Sequence, residues 1–250
     1  MIRGLYTAAA GMLSSLLRHE GIIQNLSNVR TIGYKADRAT VTDFPSMLLT
    51  QVYKDKPGVE IGRAGTGVSL SDVVTNFETG PLKLTDHPMD FAVANEGFFQ
   101  VQTEEGVRYT RDGRFHRDSD GRLVNADGYL VLGRSGTLTL PDGLLTVSPT
   151  GQVFVDEALV GELALVNFEN TDDIIKVNDT MFTGRNGVEP QVMAAADTKI
   201  YQGYLEDSNV DTSQAITEMM SVLRAYEASQ RLLRYQDQIN EKTVSDIGRV

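Results

Sequence analysis

The chain has no cysteine and no tryptophan, and only three histidines and seven prolines among its 250 residues. Without cysteine there can be no disulfides, no thiolate metal sites and no cysteine nucleophile. His19, His87 and His116 stand in three separate segments. No pair has the close spacing that zinc ligands on one helix require, so no metal site is read. Basic residues are also scarce: 23 Lys and Arg face 34 Asp and Glu, a net charge of −11. That balance argues against nucleic-acid binding, which rests on phosphate contacts from basic patches. It argues equally against direct binding to anionic lipid. No apolar run approaches the ~18 residues of a membrane-spanning helix.

Motifs for chemistry are missing too. There is no Gly-x-Ser-x-Gly elbow. The run Gly62-Arg63-Ala64-Gly65-Thr66-Gly67 lacks the Gly-Lys-Ser/Thr ending of a phosphate loop and reads as a loop. Asp118-Ser119-Asp120-Gly121 starts like a calcium loop, but Tyr129 stands where the bidentate glutamate would be. A hairpin turn is the better reading. Glu104-Glu105 and Asp172-Asp173 read as solvated loop charge. No catalytic residue, cofactor or metal ligand is assigned, and the chain is read as not an enzyme.

What the sequence does contain is hydrophobic periodicity of two kinds. Leu5, Ala9, Met12, Leu16, His19, Ile23 and Leu26 repeat with alternating steps of four and three. This is the seam of a coiled coil, and it predicts a helix over 4–29. Gly4, Gly11 and Gly21 lie inside it and weaken it by roughly 1 kcal/mol each. After Asp211 the helical period returns. Ile216, Met219, Leu223, Tyr226, Gln230 and Leu233 make one row; Ala225, Ala228, Leu232, Tyr235 and Ile239 make a second. A helix over 212–246 with two stripes must bury more than one side.

Between the helices the period is two. Met89, Phe91 and Val93 share a strand face, with Phe99 and Val101 beyond a turn at 95–97. Further strands are predicted at 107–111, 128–132, 137–140, 145–147, 153–155 and 161–168. Asp-Gly pairs at 112–113, 120–121, 127–128 and 142–143, and Asn186-Gly187, punctuate them as hairpin turns. Residues 36–75 read as irregular, with a turn at Pro57-Gly58 and glycines at 62, 65 and 67.

The layout is therefore helix, β domain, helix. Neither helix buries its apolar faces alone, which implies association. Contacts that do not close on themselves build helical filaments. The ends carry opposite charge: residues 1–35 hold four bases and one acid, residues 205–250 eight acids and five bases. That asymmetry favours pairing of the two ends.

Four ordered motifs resemble those of bacterial flagellar rod and hook proteins. The first is Asn25-Leu26-Ser27-Asn28, then Thr31 and Gly33-Tyr34-Lys35, with Ser27 and Ile32 where the family usually has alanine and proline. The second is Asp90–Val93 running into Gly97-Phe98-Phe99-Gln100-Val101; the third is Tyr109–Phe115 with Asp120–Val124 and Gly128-Tyr129. The fourth is Gln202-Gly203-Tyr204-Leu205-Glu206 with Ser208-Asn209-Val210-Asp211, followed by Met219-Met220 and Arg224–Glu227.

The resemblance implies an α+β chain whose terminal helices form an inner coiled-coil layer of a tube, around which all-β central domains are arranged. It implies a structural subunit of the basal-body rod that transmits torque from motor to hook. Its partners would be further copies of itself, neighbouring rod and hook proteins, and the flagellar type III export apparatus. Export would proceed without a cleaved signal peptide. The divisions expected are 1–35 (helix and signature), 36–75 (irregular linker), 76–203 (all-β domain) and 204–250 (C-terminal helix). The expected assembly residues are Leu5, Met12, Leu16, Ile23, Leu26, Ile216, Met219, Leu223, Leu232, Leu233 and Ile239. The signature residues are Asn25, Asn28, Thr31, Gly33, Tyr34, Gly97, Phe98, Phe99, Gly203, Tyr204, Ser208, Asn209 and Val210. The alternative is a secreted β-domain enzyme or carbohydrate-binding module with helical ends. It would need converging carboxylates or aromatics, and the sequence offers no such constellation.

Overall fold

The computed structural model describes residues 2–43, 46–53, 56–65, 67–194 and 198–247. Helix α1 runs over Ile2–Ser27 and helix α2 over Thr212–Ile247, both close to the periodicity-based spans. Among the described residues, no helix is long and apolar enough to cross a membrane. The rest of the described structure is β, in 21 short strands with two 3-10 turns. The chain divides into two units: 1–26 with 37–74 and 212–250, and 27–36 with 75–211.

The first unit contains α1, α2 and four strands where an irregular linker is expected. These are β1 (Asp37–Asp43), β2 (Met47–Tyr53), β3 (Lys56–Ala64) and β4 (Val68–Thr75). Strand β2 pairs antiparallel with β3, and β1 pairs with β4. Pro57-Gly58 is not a turn but lies inside β3. The register slips there, with Gln51 opposite Val59 and Tyr53 opposite Lys56. A bulge is one of the few places a strand accepts proline, because no ladder donor is needed. The glycine and proline signals were thus bulges in a ribbon, not breaks in it.

The second unit holds the remaining strands: β5 (Leu82–Leu84), β6 (Phe91–Val93), β7 (Phe98–Thr103), β8 (Gly106–Thr110), β9 (Phe115–Arg117), β10 (Leu123–Asn125), β11 (Leu130–Gly133), β12 (Gly136–Thr137), β13 (Leu145–Val147), β14 (Gln152–Val155), β15 (Ala158–Glu162), β16 (Leu165–Asn167), β17 (Ile174–Lys176), β18 (Met181–Gly184), β19 (Gln191–Val192), β20 (Ile200–Gln202) and β21 (Tyr204–Glu206). The main sheet runs β17-β18-β8-β7-β11-β10-β9, with β12 on β11 and β16 bridging β7 and β19. Strands β13-β14-β15 form a separate meander, and β6 pairs with β20 and β5 with β21. The predicted strand over 161–168 is split in two. The chain leaves the meander at Glu162 and enters the main sheet at Leu165.

Strand β7 sits at the centre, and its alternation builds two cores. Phe99 and Val101 point into a large aliphatic cluster with Phe91, Leu123, Val131, Val153 and Leu165. Phe98 points the other way, into an aromatic cluster with Tyr109, Phe168 and Phe182. There the rings of Phe77, Phe98, Phe168 and Phe182 meet edge to face at centroid distances of 5.4–6.0 Å. That is the favoured geometry for aromatic pairs.

The Asp-Gly pairs have more than one role. Gly121 and Gly128 take left-handed φ values of 79° and 86° in the connections β9–β10 and β10–β11. Asp112-Gly113 is not a hairpin turn. A side chain at Gly113 would collide with the Phe91 carbonyl, so this glycine allows a close backbone approach. In the Asp118 loop, the Asp118 carboxylate accepts from the amides of Asp120 (2.9 Å) and Arg122 (2.8 Å) and from Arg122 Nε (2.8 Å). The cation in this loop is therefore the protein's own Arg122.

Candidate assembly site

Within the first unit, α1 and α2 lie side by side and antiparallel. A side chain at Gly4 would strike Gln236, and one at Gly11 would sit 3.5 Å from Ser229 Oγ. Arg18 donates to Glu218 at 2.8 Å. Rising numbers on α1 thus meet falling numbers on α2. The residues of α1 at this contact are Gly4, Gly11 and Arg18, and the same side of the helix carries Ala8 and Ile22, in steps of four and three. Ala8 and Ile22 are buried. On α2 the matching row is Ala215, Met219, Val222, Tyr226, Ser229, Leu233 and Gln236, with Val222 buried. Both rows have coiled-coil periodicity.

The row that meets α2 within the chain lies one residue, or about 100°, from the expected row through Leu5, Met12, Leu16 and Ile23. The predicted row was chosen by its large apolar residues. The N-terminal half of the row that meets α2 carries Gly4, Ala8 and Gly11, small residues that let two helices approach closely. Gly4 and Gly11, which weaken the helix on its own, thus let α2 approach closely. The Arg18–Glu218 pair is about two-fifths exposed on both sides. Such a pair adds less than about 1 kcal/mol and mainly fixes register.

The displaced row leaves apolar surface uncovered. On α1, Tyr6, Leu13, Leu16 and Ile23 are exposed; on α2, Ile216, Met220, Leu232, Tyr235, Ile239 and Val244 are exposed. Leu16 retains 44% and Leu232 57% of its accessible surface. Of the expected assembly residues, Met219 and Leu233 lie on the row facing α1, whereas Leu16, Ile23, Ile216, Leu232 and Ile239 lie outside it. Leu5, Met12, Leu26 and Leu223 are half-covered.

Most signature residues serve a different purpose. Asn25 closes the first unit's corner. Its amide donates to the Asp37 carbonyl (2.7 Å) and its oxygen accepts from the Asp37 amide (2.9 Å). The others gather in the second unit. Thr31 donates to Asn28 Oδ1 at 2.9 Å, shaping the turn that leads into Gly33. Gly33 has φ +69°, and its amide donates to the Glu206 carbonyl at 2.8 Å. Tyr34 and Lys35 are fully buried. Lys176 Nζ lies 3.8 Å above the Tyr34 ring and donates to the Lys35 carbonyl at 2.9 Å. Asn209 binds three backbone groups: it accepts from Ala36 (2.8 Å) and donates to Asn76 (2.8 Å) and Glu78 (3.1 Å). Gly203, at φ +75°, donates to the Asp90 carbonyl and accepts from Thr85. Tyr204 packs on Tyr201 at 5.8 Å. Ser208 is buried and Val210 half-buried. Gly97 turns the chain into β7, against Val166.

At the centre of this cluster is a group that sequence reasoning did not single out. Glu206 is paired with Lys35 at 2.6 Å and with Arg111 at 3.1 Å, and all three side chains are at most 1% exposed. The Arg111 guanidinium also stands 5.0 Å over the Phe98 ring. Burial pushes both basic groups below their ordinary pKa values, against the pull of Glu206. A charged residue in sequence reads as solvated unless a partner is known, so this cluster carried no local signal.

Comparison with known proteins gives the class. Residues 92–155 match a family described as "Flagellar hook protein FlgE/F/G D1 domain", and residues 201–246 match "Flagellar basal body rod FlgEFG protein C-terminal". The chain is 30% identical to the flagellar hook-basal body complex protein FlhO of Bacillus subtilis, over the whole of both chains. It is 31% identical to the flagellar basal-body rod protein FlgG of Agrobacterium fabrum, over 95% of this chain and 97% of that one. It is 28% identical to the rod protein FlgF of Caulobacter vibrioides, over the whole of both. The chain belongs to the flagellar basal-body rod protein family. It is a structural component of the rod.

Proposed function

We propose that this subunit self-assembles into a helical tube that transmits torque from motor to hook, with α1 and α2 in its coiled-coil layer. One observation carries the proposal: each helix is covered along one row by the other, yet keeps apolar residues elsewhere that are exposed among the described residues. Neighbouring copies supply that cover, at roughly 1.5–3 kcal/mol for each large side chain removed from water. Contacts made by different surfaces of successive copies do not close, so they propagate into a tube. The all-β unit, with its own two cores, forms an outer layer. Neighbouring rod and hook proteins, presenting similar helices, meet the same faces at the ends of the stack. The chain reaches this place through the flagellar type III export apparatus, without a cleaved signal peptide.

The test is genetic and biochemical together. Deleting the gene is expected to abolish swimming, and the protein is expected in basal bodies purified from the parent strain. Normal swimming in the deletion strain, with no protein in basal bodies, would sink the proposal.

A further inference from the structure

The buried cluster holds two cations and one carboxylate. Glu206 Oε1 accepts from Lys35 Nζ (2.6 Å) and from the Gly80 amide (2.9 Å), and Oε2 accepts from Arg111 Nη1 (3.1 Å). Lys35 makes a second bond to the Glu78 carbonyl at 2.8 Å. Arg111 Nη1 is 3.5 Å from the Val93 carbonyl, and its Nε lies buried without a hydrogen-bond partner. The partners come from chain positions 35, 78–80, 111 and 206. Glu206 is thus the counter-charge for both cations and lies near the end of its unit, which closes at residue 211.

We infer that Glu206 acts as a closing clasp, making completion of the β unit conditional on the arrival of the residues around 206. Without its carboxylate, Lys35 and Arg111 would be two buried cations with no counter-charge in contact among the described residues. A buried charge stripped of its partner is among the most unfavourable states a fold can hold. The signature segment 33–36 therefore stays undocked until β21 is in place. The backbone says the same: the Gly33 amide is satisfied by the Glu206 carbonyl, and the Ala36 amide by the Asn209 side chain. The two signatures, one from each end of the unit, dock as a pair or not at all. A chain made N-terminus first holds its early signature open through most of its synthesis.

Pulsed hydrogen exchange during refolding of the full chain tests this. The amides of Gly33, Ala36, Gly80 and Asp207 should gain protection in one phase, no earlier than strands β7 and β8. In the folded Glu206→Gln variant these four amides should exchange about a hundredfold faster than in the natural protein. A second variant separates charge from shape: Lys35→Met, Arg111→Met and Glu206→Leu combined should regain protection at Gly33 and Ala36. Protection of Gly33 and Ala36 ahead of Asp207 in the natural protein would overturn the inference. So would exchange within about twofold of the natural protein in Glu206→Gln. If Glu206→Gln does not fold, the triple variant decides. Recovered protection supports the clasp, and continued exposure of residues 33–36 overturns it.

Discussion

Gly33→Ala is expected to destabilise the β unit by about 2–4 kcal/mol, the sum of two separable effects. The first is conformational: Gly33 sits at φ +69°, where an alanine costs roughly 1 kcal/mol. The second is steric. An alanine Cβ would lie 2.5 Å from both the Arg111 carbonyl carbon and the Asp112 amide nitrogen. These are backbone atoms of a packed segment and cannot swing aside, so the segment must move, at about 1–3 kcal/mol. Gly128→Ala is the control, because Gly128 is also left-handed at φ +86° but has nothing within 4 Å of a new Cβ. It should lose only the conformational part, about 1 kcal/mol. Denaturant unfolding followed by far-UV circular dichroism measures both. Equal losses at the two positions would mean that Gly33 is not in close contact with the Arg111 backbone.

The second large effect falls on assembly and leaves folding alone. Leu16→Asp and Leu232→Asp each place a carboxylate on an exposed position of one helix. In the free subunit the carboxylate stays in water, and stability should change by about 0.5 kcal/mol or less. In a tube it would be buried without a partner, which costs several kcal/mol per subunit and repeats in every copy. Swimming should be lost and the variants should be missing from purified basal bodies. Val222→Asp should behave differently, because Val222 is 4% exposed and lies on the row that faces α1. It should disrupt the helix pair in the isolated protein as well. Normal incorporation of Leu16→Asp and Leu232→Asp would remove these faces from the assembly.

Much of this architecture was legible in the sequence, and the failures have physical causes. The two helices and the β region between them follow from a change of hydrophobic period, which long elements display plainly. Periodicity weights bulk, so it marks the large apolar row of α1 and not the neighbouring row that meets α2 within the chain. Gly4 and Gly11, whose value lies in being small, stand where α1 meets α2, and so does Arg18. The strands over 37–75 were missed because Pro57 and Gly62 mark bulges as readily as turns. The expected boundaries at 76 and 203 also cut across the second unit. That unit needs Tyr34 and Lys35 from one side and Glu206 and Asn209 from the other, partners separated by up to 173 positions. The motifs that revealed the family contained Lys35, Arg111 and Glu206, but only the folded chain shows that they neutralise one another.

If neighbouring copies bury the exposed faces of α1 and α2 in the rod, those faces lose access to solvent on assembly. The chain has no cysteine, so a single introduced thiol is the only one to react. Leu16→Cys and Leu232→Cys should be labelled quickly by a maleimide in the free subunit and become unreactive in purified basal bodies. Equal labelling rates in the free subunit and in intact basal bodies would contradict the account.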